Sequence, residues 1–147
     1  MTTQTPATMT RTVSGFGPLQ IAITILVAAT ALVHLFMGVN LTMAVLSPTA
    51  RAAAGTGGVT MGAILAVLFL CNFCGYVVLN AALYLPVLRR FQRVTRALLI
   101  GFTAVTFVAY FAIDQGQALT NHIGLADKAV EAALIALLVI DGRRAGA

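Results

Sequence analysis

The chain has 147 residues, of which 60% are apolar and only 9% charged, against about 25% charged in ordinary globular chains. Nine basic and four acidic residues leave a formal charge of +5. A soluble chain of this composition cannot cover its surface with polar groups, so a soluble enzyme, a disordered chain and a disulfide scaffold are excluded and an integral membrane protein remains.

Residues 1–17 are rich in Thr and carry one arginine, Arg11. They lack the charged start, short apolar core and small-residue cleavage site of a signal peptide, and read as a flexible N-terminal tail. Four apolar stretches then approach the roughly 20 residues needed to cross a bilayer. They run over residues 18–46, 59–85, 97–113 and 123–140. Pro86 helps to end the second, and Asp127, Lys128 and Glu131 interrupt the fourth. Ser47–Gly58, rich in Pro, Ala, Gly and Thr, is expected to be a loop, as are Arg89–Arg96 and Asp114–His122. Gly55 to Gly58 belongs to that first loop and is no phosphate cradle, since neither a P-loop lysine nor a strand accompanies it. Nothing alternates as an outer-membrane strand does, so the expected fold is all-α: a four-helix transmembrane domain over 18–141, then a short tail over 142–147.

The arginines set the expected orientation. With four spans, Arg11, Arg89, Arg90, Arg93, Arg96, Arg143 and Arg144 share one side and only Arg51 lies on the other. The positive-inside rule then places both termini and the middle loop in the cytoplasm, in a multi-pass protein of the cytoplasmic (inner) membrane. Basic residues gathered at the ends of apolar runs are topology signals, and a nucleic-acid partner is not expected.

Polar residues at membrane depth are the informative ones, because each ionised group at a helix centre costs about 2.5–3.5 kcal/mol on insertion scales. Lys128 is the only lysine, and it sits between Asp127 and Glu131. At 100° per residue the two acids lie about 40° apart and the lysine within about 100° of Asp127, so all three share one helix face, while Ala129, Ala133 and Ala136 line another. An internal ion pair explains this spacing, and a role in binding or proton movement is the alternative. Measured from the outer surface at about 1.5 Å per residue, Glu131 lies roughly 13 Å deep, His34 roughly 16 Å and Asn72 roughly 18 Å. Asn72, Tyr76 and Asn80 form an i, i+4, i+8 ladder; Thr103, Thr106 and Tyr110 form an i, i+3, i+7 stripe with Asp114 one turn beyond. Such stripes are expected to meet inside the bundle, either as interhelical hydrogen bonds or around a cavity that opens outward near Tyr110, Asp114 and Lys128.

Two cofactor readings attach to single residues. A four-helix bundle with His34 resembles the small b-type cytochromes, but His122 belongs at the outer surface, about 18 Å above His34 by the same rise, which leaves a single axial histidine as the haem alternative. Cys71 and Cys74 form a C-x-x-C that is similar to the pairs of membrane thiol oxidoreductases, the vitamin K epoxide reductase and disulfide-forming families. Here the pair lies mid-membrane in apolar company, where a thiolate is disfavoured, so small core residues are expected, with a quinone-linked redox role the outside reading. A lone intramembrane lysine beside an acid resembles a retinal Schiff base in those two residue types alone. No cofactor and no metal are expected.

A broader resemblance rests on Gly75 and Tyr76, on the Leu83, Tyr84, Leu85, Pro86 run with Arg89 and Arg90, on Leu99 to Ala104, and on Asp127, Lys128 and Glu131 followed by Leu134 and Ile135. Over the last three helices the chain resembles a group of small four-span prokaryotic membrane proteins classed as a domain of unknown function. The resemblance implies the fold and carries no activity. Short loops, the absence of a catalytic set and the small-residue faces favour a non-enzymatic subunit or accessory of a membrane assembly, with a membrane-protein partner or a second copy beside it. A small-solute or proton-coupled carrier using His34, Asp127, Lys128 and Glu131 is the alternative, and a haem- or quinone-linked redox protein the next.

Overall fold

The computed structural model describes residues 17–113 and 119–146, so the expected N-terminal tail and Asp114 lie outside the described residues. The described chain is all-α: α1 (Pro18–Leu46), α2 (Pro48–Tyr84), a 3-10 turn (Pro86–Phe91), α3 (Gln92–Ile113) and α4 (His122–Gly146). Three segments are long and apolar enough to cross a membrane: Pro18–Leu46, Pro48–Tyr84 and Pro86–Ile113. With 25 residues α4 is also long enough, but its charged residues keep it out of that class.

Prolines punctuate the chain. Pro18 occupies the first turn of α1, where its missing N–H costs nothing. Ser47 is extended (φ −70°, ψ 123°), as a residue before proline prefers, and it closes α1 and opens α2 at once. Its Oγ accepts from the Ala50 N–H at 3.5 Å. The expected loop Ser47–Gly58 is therefore mostly helical, because the alanines after Pro48 form helix readily. The break falls at Gly55 alone, whose φ of 64° and ψ of 179° suit glycine and interrupt α2. Helix α4 likewise runs through to Gly146, so its backbone does not end at residue 141.

The helices form a ring in which α1 packs on α2 and α4, and α3 packs on the same two. Helices α1 and α2 run antiparallel: Gly38 abuts Leu70 and Val45 abuts Gly62. Helices α3 and α4 do too, with Arg96 against Asp141 and Thr106 against Glu131. The apolar core is built from Ile23, Val27 and Ala31 of α1, Tyr76 and Leu83 of α2, Leu99 of α3, and Leu134 and Leu138 of α4. Its polarity is the reverse of a soluble bundle. His34, Arg96, Asp127, Lys128 and Glu131 are buried, whereas Leu32, Phe36, Val78 and Val105 are each more than 60% exposed. That distribution suits lipid, where an apolar exterior costs nothing and each polar group needs an internal partner.

Candidate functional site

All four helices contribute to one polar cluster. On α4, Asp127, Lys128 and Glu131 face inward as their spacing requires, and Glu131 is fully buried. The Lys128 Nζ lies 3.1 Å from Asp127 Oδ2 and 2.6 Å from Glu131 Oε2, so one ammonium bridges both carboxylates. Thr30 of α1 donates its hydroxyl to Asp127 Oδ1 at 2.6 Å. Tyr76 of α2 donates to Glu131 Oε1 at 3.1 Å. Thr106 of α3 also reaches Glu131 Oε1 at 3.1 Å, but the Thr103 carbonyl competes for its single proton at 2.9 Å. The Thr106 hydroxyl lies 2.9 Å from the Tyr76 hydroxyl, which closes a short chain of oxygens onto Glu131. Thr103 itself is buried and donates back to the Leu99 carbonyl at 2.8 Å.

His34 completes the cluster from α1. Its Nδ1 is 2.8 Å from the Thr30 carbonyl and its Nε2 faces Glu131 Oε1 at 4.0 Å. The rings of Phe69 and Tyr76 flank the imidazole, with centroids 5.6 and 5.5 Å away. A porphyrin at Nε2 would have to displace these groups. His122 stands exposed at the first residue of α4, far from that position in the helix order. At the opposite edge Tyr110 lies over Lys128, with Nζ 5.5 Å from the ring centroid, in cation–π range. Tyr110 also fills the space beside Gly124, where any added Cβ would overlap its hydroxyl and ring.

Of the residues singled out from the sequence, His34, Tyr76, Thr103, Thr106, Tyr110, Asp127, Lys128 and Glu131 are brought together. Asn72 is not: it is half-buried one turn from Tyr76 and makes no hydrogen bond to the cluster. Cys71 and Cys74 are free thiols on the exposed side of α2, so the expectation that they pack in the core is corrected. Position explains it, because the inward face of α2 runs through Ala66, Tyr76 and Leu83, and the cysteines fall off that line.

Sequence reasoning passed over Thr30 and a second buried ion pair. Thr30 was legible in retrospect, standing one turn from His34 on the same face. Arg96, expected in the basic turn, is instead buried in α3, and its Nε and Nη2 both reach Asp141 Oδ2, at 3.1 and 2.6 Å. The residues of this pair are 45 apart in the chain, so no local spacing announces it.

His34, Asp127 and Glu131 turn one ligand-type atom each to within 4.8 Å of the others, a set able to hold a cation. The cation between the two carboxylates is the chain's own Lys128. Two grooves lie elsewhere, on the outer surface of α3. One, of about 380 Å³, is lined by Leu79, Ala97, Leu98, Gly101, Phe102 and Val105; a neighbour of about 410 Å³ lies along Ala104 to Ala109. Both are open and apolar. No family profile, curated protein or solved structure matches the chain.

Proposed function

We propose that this chain is a four-span bundle of the cytoplasmic membrane, with both termini inside, that serves as a non-enzymatic subunit of a larger membrane assembly through the outer face of α4. The observation that carries this reading is the composition of that face. Where α1, α2 and α3 expose Ile, Leu, Val and Phe, the exposed positions of α4 between its ends are Ala126, Ala129, Ala132, Ala133 and Ala136. Alanine gains little from lipid contact compared with leucine, but it lets a second helix approach closely. The inward face of α4 is meanwhile saturated by Thr30, Tyr76, Thr106 and its own lysine. A helix with its charges paired inside and a flat small-residue face outside is built to be covered by protein.

Supporting the orientation are the arginines, gathered around Arg89–Arg96 and the end of α4. Native mass spectrometry of protein extracted in mild detergent tests the reading. A species heavier than the 15.3 kDa chain, lost when Ala129 and Ala133 are replaced by Phe, is expected. A monomer at every detergent concentration that retains bound lipid would overturn it.

The carrier reading keeps one observation in its favour, the approach of His34 to Glu131 inside the bundle.

A further inference from the structure

Charges inside the cluster do not cancel. With both carboxyl groups and the ammonium ionised, as the ion-paired contacts of Lys128 suit, the group carries −1 while His34 is neutral and 0 once His34 is protonated. Among the described residues the other helices add no charge there. Helix α2 presents the Tyr76 hydroxyl and the Phe69 ring, α3 presents Thr103 and Thr106, and α1 adds only Thr30. The Arg96–Asp141 pair is neutral in itself and sits toward the other end of α3 and α4. A net charge shut away from water is costly, and hydroxyl donors offset only part of that cost.

The imidazole shows where the missing positive charge belongs. The Thr30 carbonyl can only accept, so the hydrogen in the 2.8 Å contact is on Nδ1. In a neutral ring that leaves the Nε2 lone pair directed at Glu131 Oε1, 4.0 Å away, where two electron-rich atoms repel. Protonating Nε2 turns the repulsion into an ion pair, and a shift of about 1 Å in either side chain brings the atoms into charge-assisted hydrogen-bond range. Glu131 is held as the facing carboxylate by Lys128 on one oxygen and by Tyr76 and Thr106 on the other.

We infer that His34 and Glu131 form a single-proton site in the interior of the bundle: the proton adds to His34 Nε2, Glu131 is its counter-ion, and Lys128 fixes the count at one. The site stands whether or not the α4 face carries a partner. Its ligand is the proton, and its occupancy sets the net charge of the buried cluster.

Imidazole ¹⁵N NMR on the full chain in lipid nanodiscs reads the site directly, in a His122→Ala background that leaves His34 as the one histidine. The expected parent result is a His34 ring that carries its proton on Nδ1 alone at pH 8 and on both nitrogens at pH 5. Glu131→Gln balances the cluster without the proton, so on the alkaline side of the parent's transition the protonated fraction falls, by about tenfold for each unit that the transition is displaced. Asp127→Asn changes the count in the same way without touching His34 and lowers the fraction as well. A parent ring that stays neutral from pH 8 to 5 overturns the proposal, as does an Asp127→Asn protein that titrates like the parent. Stoichiometric metal in the purified protein, lost in His34→Ala, would replace the proton with a metal ion and equally overturn it. Because the parent and Asp127→Asn arms suffice, the test survives a Glu131 variant that fails to fold.

Discussion

Glu131 has no exposed surface, and Lys128, Tyr76 and Thr106 converge on its two oxygens. Leucine at this position would fill the space but leave the ammonium with Asp127 alone, and the Tyr76 and Thr106 hydroxyls with only each other and the Thr103 carbonyl. Breaking a buried ion pair on one side costs about 3–5 kcal/mol, so Glu131→Leu should lower the thermal midpoint in detergent strongly. Glutamine keeps an acceptor for Tyr76 and Thr106 and leaves Asp127 to hold Lys128, so its loss should be the smaller of the two. Tyr76→Phe removes one donor from a carboxylate that keeps two partners, a change of about 1–2 kcal/mol. The order Leu, then Gln, with Tyr76→Phe mildest beside Leu, is the expected series in circular-dichroism melts. A Glu131→Leu protein as stable as the parent would mean that the cluster contributes nothing to the fold.

At the scale of elements, the ends of α3 and α4 are tied differently. At one end both Arg96 nitrogens share a single oxygen of Asp141; at the other Tyr110 lies against Gly124 and over Lys128. Arg96→Leu or Asp141→Leu alone strands a buried charge, whereas the double variant removes both charges together. The double should therefore melt closer to the parent than either single variant, and a strictly additive double-mutant cycle would show that the pair is not coupled. Gly124→Val places a branched side chain where the Tyr110 ring stands and should splay this end, destabilising by about 1–3 kcal/mol. How much could be read beforehand follows from the range of each signal. The bounds of α1, Pro18 to Leu46, were legible because Pro18, Ser47 and Pro48 act locally. The inward face of α4 was legible because Asp127, Lys128 and Glu131 lie within one turn. Ser47–Gly58 misled because glycine and proline content argued for a loop, while only Gly55 takes a conformation that breaks the helix. Arg96 with Asp141 stayed invisible because an arginine beside a basic turn looks like a topology signal until the fold supplies its partner.

For the molecule as a whole, the decisive question is whether α4 crosses the bilayer. Taken alone it is a poor span, since three acids and a lysine, Asp127, Glu131, Asp141 and Lys128, lie along it ahead of the two arginines at its end. At about 2.5–3.5 kcal/mol for each charge near a helix centre, an isolated α4 facing lipid would be expelled. In the bundle that cost does not arise in the same form. Three of the four residues have ionic partners within α4, the fourth is held by Arg96, and Thr30, Tyr76 and Thr106 supply further donors. What α4 shows outward is alanine, with Ile123, Val139 and Ile140 toward its ends. Its insertion should thus depend on the three helices before it, and the finished protein should have four spans. Single cysteines in a background lacking Cys71 and Cys74 test this in intact cells with a membrane-impermeant maleimide. Thr56 and Leu119 are exposed in the structure and should label from outside; Val87 and Ala145, also exposed, should label only after permeabilisation. Thr56 and Val87 report the crossing by α2, so they separate a failure of α4 from a failure of the whole topology. If Leu119 and Ala145 label from the same face while Thr56 and Val87 do not, α4 lies on the membrane surface and its paired charges serve some arrangement other than a transmembrane bundle.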